Sequence, residues 1–394
     1  MSPGPRSYFV PGRIEFLGKH TDYAGGRSLV CAVERGITLH ATPRTDSRVM
    51  IRDVGSGEQC EFEISPELSP APGHWTAYPI TVARRLARDF PRPWHGADIE
   101  FSSNLPRDAG LSSSSALMVA CYSALADVNE LAFGTPEELA GYLGAVESGA
   151  AFGNLGGDAG VGTAGGSQDH VAVLHSRPGE LSQYAYCPVR HERQVPLPED
   201  LVFVVAVSGV AAPKTGAARE AYNRASRQVG QLLDLWRRTT GRQAVSLADA
   251  LRTGPGAPAA LRSLVENEPA LRERLEQFLV ESEEIVPAAG DCLIRGDLAG
   301  LGPLVDRSQA LAERALGNQV PETIFLARSA RELGAVAASA FGAGFGGSVW
   351  ALIPAATAEP FRQRWATAYR NAFPQRVAQS AFFTTRAGPG RQRL

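Results

Sequence analysis

Residues 105–117, LPRDAGLSSSSAL, place a glycine and four consecutive serines directly ahead of a strongly helical run. Gly110 carries no side chain to hold the backbone away from an anion. Ser112, Ser113, Ser114 and Ser115 bring hydroxyls and free amide N–H groups to a helix start, where the macrodipole adds roughly half a positive charge. One serine is enough to cap a helix, so four beside a glycine point beyond capping to phosphate binding.

The rest of the chain fits a soluble enzyme built around such a loop. A length of 394 residues exceeds what one core usually holds and predicts two domains. With 44% apolar residues and a net charge of -2, the chain has no general attraction to nucleic acid or membranes, so any anion site must be local. Five scattered cysteines without CxxC spacing favour a reducing compartment over a disulfide or zinc framework. Neither a signal peptide nor an 18-residue apolar run is visible, which predicts a cytoplasmic protein.

Strand and helix patterns alternate along the chain. Residues 28–42 read as a strand, 48–64 as a polar hairpin turning at Gly55 and Gly57, 75–90 as a helix, 97–101 as a short strand and 112–129 as the helix after the serines. Thr135, Pro136 and Glu138 form a capping-box start for a helix that carries Glu147 into a glycine-rich stretch, 149–166. The proline- and charge-rich segment 187–200 is the expected domain boundary, dividing the chain into 1–198 and 199–394. A buried strand at 201–207 follows, then long helices over 217–334 broken at 254–258. A helix at 327–340, a strand at 348–353, a further helix, a strand around Phe382 and a disordered basic tail, 386–394, are expected to complete the chain.

Two more segments carry chemistry. Residues 11–26, PGRIEFLGKHTDYAGG, pack Arg13, Lys19, His20, Asp22 and Tyr23 into a loop bounded by glycines, a density of donors and acceptors suited to sugar hydroxyls. Residues 341–349, FGAGFGGSV, would let backbone pass close to a ligand or to another loop. This run formally matches GxGxxG, but a dinucleotide loop follows a strand and opens a helix, whereas this one is read as following a helix and opening a strand. Ala212-Pro213-Lys214-Thr215 lacks the glycine of a Walker motif, and Lys214 is left as either a phosphate contact or a solvent residue.

In this order the three segments resemble the three motifs of the GHMP small-molecule kinases, and residues 11–26 resemble the galactokinase signature PGRVNLIGEHTDYNGG. The resemblance implies an α+β, two-domain GHMP kinase fold: an N-terminal ribosomal-S5-like α/β domain, a C-terminal ferredoxin-like α+β domain and an active site between them. It also implies transfer of the ATP γ-phosphate, with Mg²⁺, to the anomeric C1 hydroxyl of a sugar, galactose foremost, by a monomer or weak homodimer.

Carried over by motif, the family's catalytic arginine falls on Arg13 and its catalytic aspartate, from GIMDQ, on Asp169 in GSQDH. Arginine can hold a phosphoryl group and a carboxylate together, and an aspartate beside it is expected to have its pKa lowered by about 1 to 3 units. Asp169 is therefore either base or orienter, which matters little if the transition state is loose. The resemblance assigns Lys19, His20, Asp22, Gly166 and Tyr222 to the sugar, and Trp75, Gly110, Leu111, Ser112, Ser113, Ser114 and Ser115 to ATP.

Three positions depart from the family. Lys19 stands where the family has glutamate. It would suit a C6 carboxylate, as in galacturonate, unless it pairs with Glu15 or Asp22 and galactose is retained. Met118 replaces a glutamate near Mg²⁺, so either Glu147 supplies the carboxylate, with Ser114 or Ser115 as the hydroxyl ligand, or the metal keeps more waters; Glu147 is the expected choice. The stretch 149–166 is longer than usual, either a flap over the sugar or an exposed loop. A galactokinase-like sensor that binds without turnover, and a nicotinamide-binding protein resting on GxGxxG alone, are the other classes considered.

Overall fold

Strand and helix signals resolve into two sheets sharing one continuous core in the structure, a computed structural model that describes residues 4–71, 73–211 and 216–394. The first sheet is built from β1 (Arg6–Leu17), β2 (Arg27–Pro43), β3 (Arg48–Asp53), β4 (Gln59–Glu63), β5 (Ala97–Ser103), β6 (Glu180–Ala185) and β7 (Arg190–Pro196). Four helices accompany it: α1 (Ala77–Asp89), α2 (Ser113–Val128), α3 (Pro136–Ser148) and α4 (Gln168–His175). Residues 115–126 of α2 are all buried, as expected of a helix that is apolar on every side. The capping box at Thr135 and Glu138 forms as expected.

The second half begins with β8 (Leu201–Val207) and seven helices, α5 (Gly216–Thr240), α6 (Leu247–Leu251), α7 (Ala257–Leu264), α8 (Pro269–Leu279), α9 (Val286–Arg295), α10 (Leu298–Leu311) and α11 (Pro321–Glu332). The hairpin β9 (Ala337–Phe341) and β10 (Ser348–Pro354), α12 (Ala358–Ala372), β11 (Ala381–Thr385) and β12 (Gln392–Arg393) complete it. The second sheet is antiparallel, in the order β11-β8-β10-β9. Phe16 of β1 stacks on Trp350 of β10 at 4.3 Å between ring centroids, and Phe203 of β8 meets both edge-on. β1 thus lies where the two sheets meet. Among the described residues no helix is long and apolar enough to cross a membrane.

Four expectations are corrected. The first half of the signature at 11–26 is strand, not loop. The segment 187–200 is largely β7, a partly exposed edge strand paired only with β6; its prolines and charges are those of a blunted sheet edge, and the passage between the sheets shrinks to residues 197–200. The helix expected over 327–340 ends at Glu332; Gly334, at φ +99°, turns the chain, and 337–341, AASAF, form a fully buried strand. The tail is not disordered: β12 pairs with the open edge of β1, with Tyr8 opposite Arg393 and Phe9 opposite Gln392, and Gly388 bridges Ala32. It satisfies an edge that would otherwise face solvent.

Candidate active site

A cleft of about 470 Å³ opens between the two halves, within the range of small-ligand pockets. Its floor is set by β1. Arg13 is 3% exposed, and its Nε donates to Asp169 Oδ1 at 2.7 Å while Nη1 donates to the Gly110 carbonyl oxygen. Arg13 therefore ties the strand, the serine loop and α4 together. Burial works against its charge, but Asp169 and Glu15 outweigh burial and raise its pKa.

The serine loop reaches the cleft through a left-handed turn. Gly110 has φ +75° and Ser112 φ +58°, after which α2 begins at Ser113. Ser112 Oγ donates to Asp169 Oδ2 rather than capping its helix. Ser113 and Ser114, half-buried, line the cleft at the helix start. Two expected ATP contacts lie behind this surface. Leu111 is buried and lends only its carbonyl, which accepts from the Arg13 amide at 3.1 Å. Ser115 Oγ is turned to Glu147 Oε2 at 2.8 Å. Met118 is part of the core, where a thioether belongs.

The third glycine segment joins β9 to β10 and closes over the serine loop. A Cβ on Gly342, at φ +82°, would stand 3.0 Å from the Gly110 carbonyl oxygen. The strand-to-strand connection removes the dinucleotide reading, although the expected helix before it is absent too.

On one side, His20, Asp22, Gly166 and Tyr222 all line the cleft. Asp22 accepts from the amides of Tyr23 at 2.8 Å and Gln168 at 3.2 Å; burial nevertheless raises its pKa. His20, with Nδ1 2.8 Å from the Tyr23 hydroxyl, is held neutral, its pKa pushed down to about 4 by burial and by Arg274. Gly166 is pressed on Asp22, since a Cβ there would come within 2.4 Å of Oδ2. On the other side Trp75 lines the cleft with its edge toward Phe101 and its Nε1 donating to Glu58 Oε2 at 2.6 Å.

Lys19 is the chief correction. It is 1% exposed and not among the residues lining the cleft; its Nζ donates to Ser339 Oγ at 2.7 Å and Ser308 Oγ at 3.1 Å. Its side chain is turned away from the cleft, and it forms no ion pair with Glu15 or Asp22. Gly18, at φ +106°, turns the chain after β1, and α10 and β9 supply the hydroxyls that receive the ammonium. The stretch 149–166 is a fastened wall rather than a flap: Asp158 pairs with Arg84 at 2.8 Å, and Asn223 of α5 bonds both Gly162 and Ala164. Lys214 lies outside the described residues.

For a divalent cation, Glu147 and the serine hydroxyls form a hard oxygen set that fits Mg²⁺, with His170 Nε2 3.3 Å from Glu147 Oε2. Among the described residues no group of three or more His, Cys, Asp or Glu side chains could hold a metal. Mg²⁺ carried mainly by phosphates needs only one or two carboxylates. Glu15, expected only as a partner for Lys19, and Gln168, not expected at the site, also line the cleft. The available signal for Glu15 was a lone charge inside the apolar run IEFL.

Comparison with known proteins agrees with this architecture. Residues 2–43 match the galactokinase galactose-binding signature, 77–176 the GHMP kinases N terminal domain and 291–371 the GHMP kinases C terminal. A galactokinase of Roseiflexus sp. (strain RS-1) is 30% identical over 374 residues, covering 92% of this chain and 87% of the relative. One of Actinobacillus pleuropneumoniae serotype 5b is 26% identical, covering 91% and 88%. In fold, the galactokinase of Lactococcus lactis, solved in complex with galactose, superposes with a TM-score of 0.83 at 22% identity, covering 99% of this chain and 95% of that one. The mevalonate kinase of L. major follows at 0.57 and 15%, covering 99% of each. A buried arginine paired with a half-buried aspartate under a serine-rich helix start, in a chain related over nine-tenths of its length to enzymes of one kind, places this protein in the galactokinase family of GHMP kinases, a family of phosphotransferases.

Proposed function

We propose that this chain transfers the γ-phosphoryl group of ATP to the anomeric C1 hydroxyl of a neutral hexose, galactose. The observation that carries this reading is the Arg13–Asp169 pair, 2.7 Å apart and within the same cleft as the start of α2. The backbone of Ser113 and Ser114, at the start of α2, receives phosphate oxygens, helped by the helix dipole. Arg13, fixed by Asp169 and the Gly110 carbonyl, faces the group in transit and offsets its charge. Asp169 accepts from the sugar hydroxyl as base or orienter, since a loose transition state needs the nucleophile placed more than deprotonated.

Asp22, His20, Gly166 and Tyr222 hold the ring, and Trp75 with Phe101 borders the base. Glu147 with Ser114 or Ser115 would hold Mg²⁺, which would supply positive charge to offset that of the phosphates. A neutral sugar is favoured over galacturonate because Lys19 is committed to Ser308 and Ser339. Among the described residues, the arginines and lysines lining the cleft are Arg13 and Arg107, and Arg107 pairs with Asp53 at 3.3 Å. In a coupled ADP-release assay, galactose is expected to turn over and galacturonate to give at most a hundredth of that rate. Equal rates would return Lys19 to the sugar, and no turnover with either, alongside measurable binding, would make the protein a sensor.

A further inference from the structure

The transfer centre holds a second carboxylate that the mechanism above leaves unused. Glu15 follows Arg13 by two positions on β1, so both side chains leave the same face of the strand, and both line the cleft. It is 4% exposed. Gln168, the residue before Asp169 on α4, donates its Nε2 to Glu15 Oε2 at 2.7 Å, while Glu15 Oε1 is buried with no hydrogen-bond partner. The signature PGRVNLIGEHTDYNGG has asparagine at this place and glutamate where Lys19 stands. This chain therefore has its carboxylate beside Arg13 and a cation four residues later.

The ionisable groups acting on Glu15 are Arg13 from its own strand, Lys19 from the turn that follows and Asp169 from α4. β2 and β10 bring Val30 and Trp350 to it, neither of which titrates near neutrality. Burial outweighs the two cations and pushes the Glu15 pKa up to about 7. A buried carboxyl with one orphan oxygen, in the field of the guanidinium that Asp169 binds, gains or loses its charge on a small change in local potential. Nucleotide phosphates bring such a change, since negative charge favours the neutral form of a neighbouring acid.

Resting on the kinase reading, we propose that Glu15 takes up a proton from solvent when nucleotide phosphates enter the cleft, and that this neutralisation leaves the charge of Arg13 to the phosphoryl group. The proton, supplied by buffer, bonds to Oε1 and returns to solvent when the nucleotide leaves. Glu15 touches neither reactant and acts through Arg13 as a positioning residue.

Titration calorimetry of the full chain with Mg·ATP, in buffers of different protonation enthalpy, measures the protons bound per nucleotide. The wild type is expected to take up about half a proton near pH 7, and its ATP affinity to fall several-fold between pH 6 and 8. E15Q keeps an oxygen for Gln168; it should lose this uptake and the part of the pH dependence of affinity that goes with it. The nucleotide's own titration is common to both proteins. Wild-type binding without buffer dependence, or E15Q binding with the same uptake, overturns the proposal. If E15Q fails to fold, the wild type alone decides, and an uptake that does not peak near neutrality refutes it. Absence of ATP binding in every buffer would instead remove the kinase reading itself.

Discussion

Arg13 makes two contacts that a lysine cannot reproduce together, one to the Asp169 carboxylate through Nε and one to the Gly110 carbonyl through Nη1. Arg13→Lys keeps the charge and loses the fork, so kcat in the coupled assay is expected to fall about 10²- to 10³-fold while KM for the sugar changes little. Glu15 carries a prediction about stability. Its folded-state pKa, about 7, lies above the ordinary 4.5, so the folded protein binds more protons than the unfolded chain between those values. Stability from this group is therefore lost as pH rises from about 4.5 to 7, by roughly 3 kcal/mol in all. His20, with its pKa pushed down to about 4, acts with the opposite sign between about 4 and 6.5, so wild-type thermal curves alone mix the two. Comparing E15Q with the wild type isolates Glu15: the two should melt together near pH 4.5, and E15Q should melt several degrees higher at pH 8.

At the scale of elements, apolar period and capping were legible. The run from Ser113 to Val128, the box at Thr135 and Glu138 and the apolar strand Leu201–Val207 stand where their residues put them. What stayed hidden was pairing. Ala337–Ala340 are small residues that suit a helix equally well, and pairing with the neighbouring strand β10 selects an extended form. The tail has the composition of a loose end, yet β1 offers it an open row of backbone donors and acceptors. Site residues within a motif could be read, whereas the turn of Lys19 away from the cleft depends on Ser308 and Ser339, nearly three hundred residues or more distant and invisible to local pattern. Truncation after Arg386 removes the β12 pairing, the Gly388 bridge and the bond from Arg391 to the Val173 carbonyl. The melting temperature is expected to fall by several degrees, measured by circular dichroism, with the first sheet more exposed to hydrogen exchange.

Over the whole molecule, the sugar-side turn is held by the helical half. Glu281 Oε1 accepts from the amides of Gly18 and Lys19 and from Ser308 Oγ, at 2.8, 3.3 and 2.9 Å. Glu281→Ala strands buried donors, each at about 1–3 kcal/mol, so a loss of roughly 2–4 kcal/mol is expected in denaturant titration. KM for the sugar should rise, because His20 and Asp22 sit just beyond the released turn. The chain also crosses between its two sheets twice, through residues 197–200 and again on the way from β11 to β12. The two passages thus bracket a seam already filled by Phe16, Trp350 and the Gly342 turn, so the walls of the cleft are braced on each other as well as tethered.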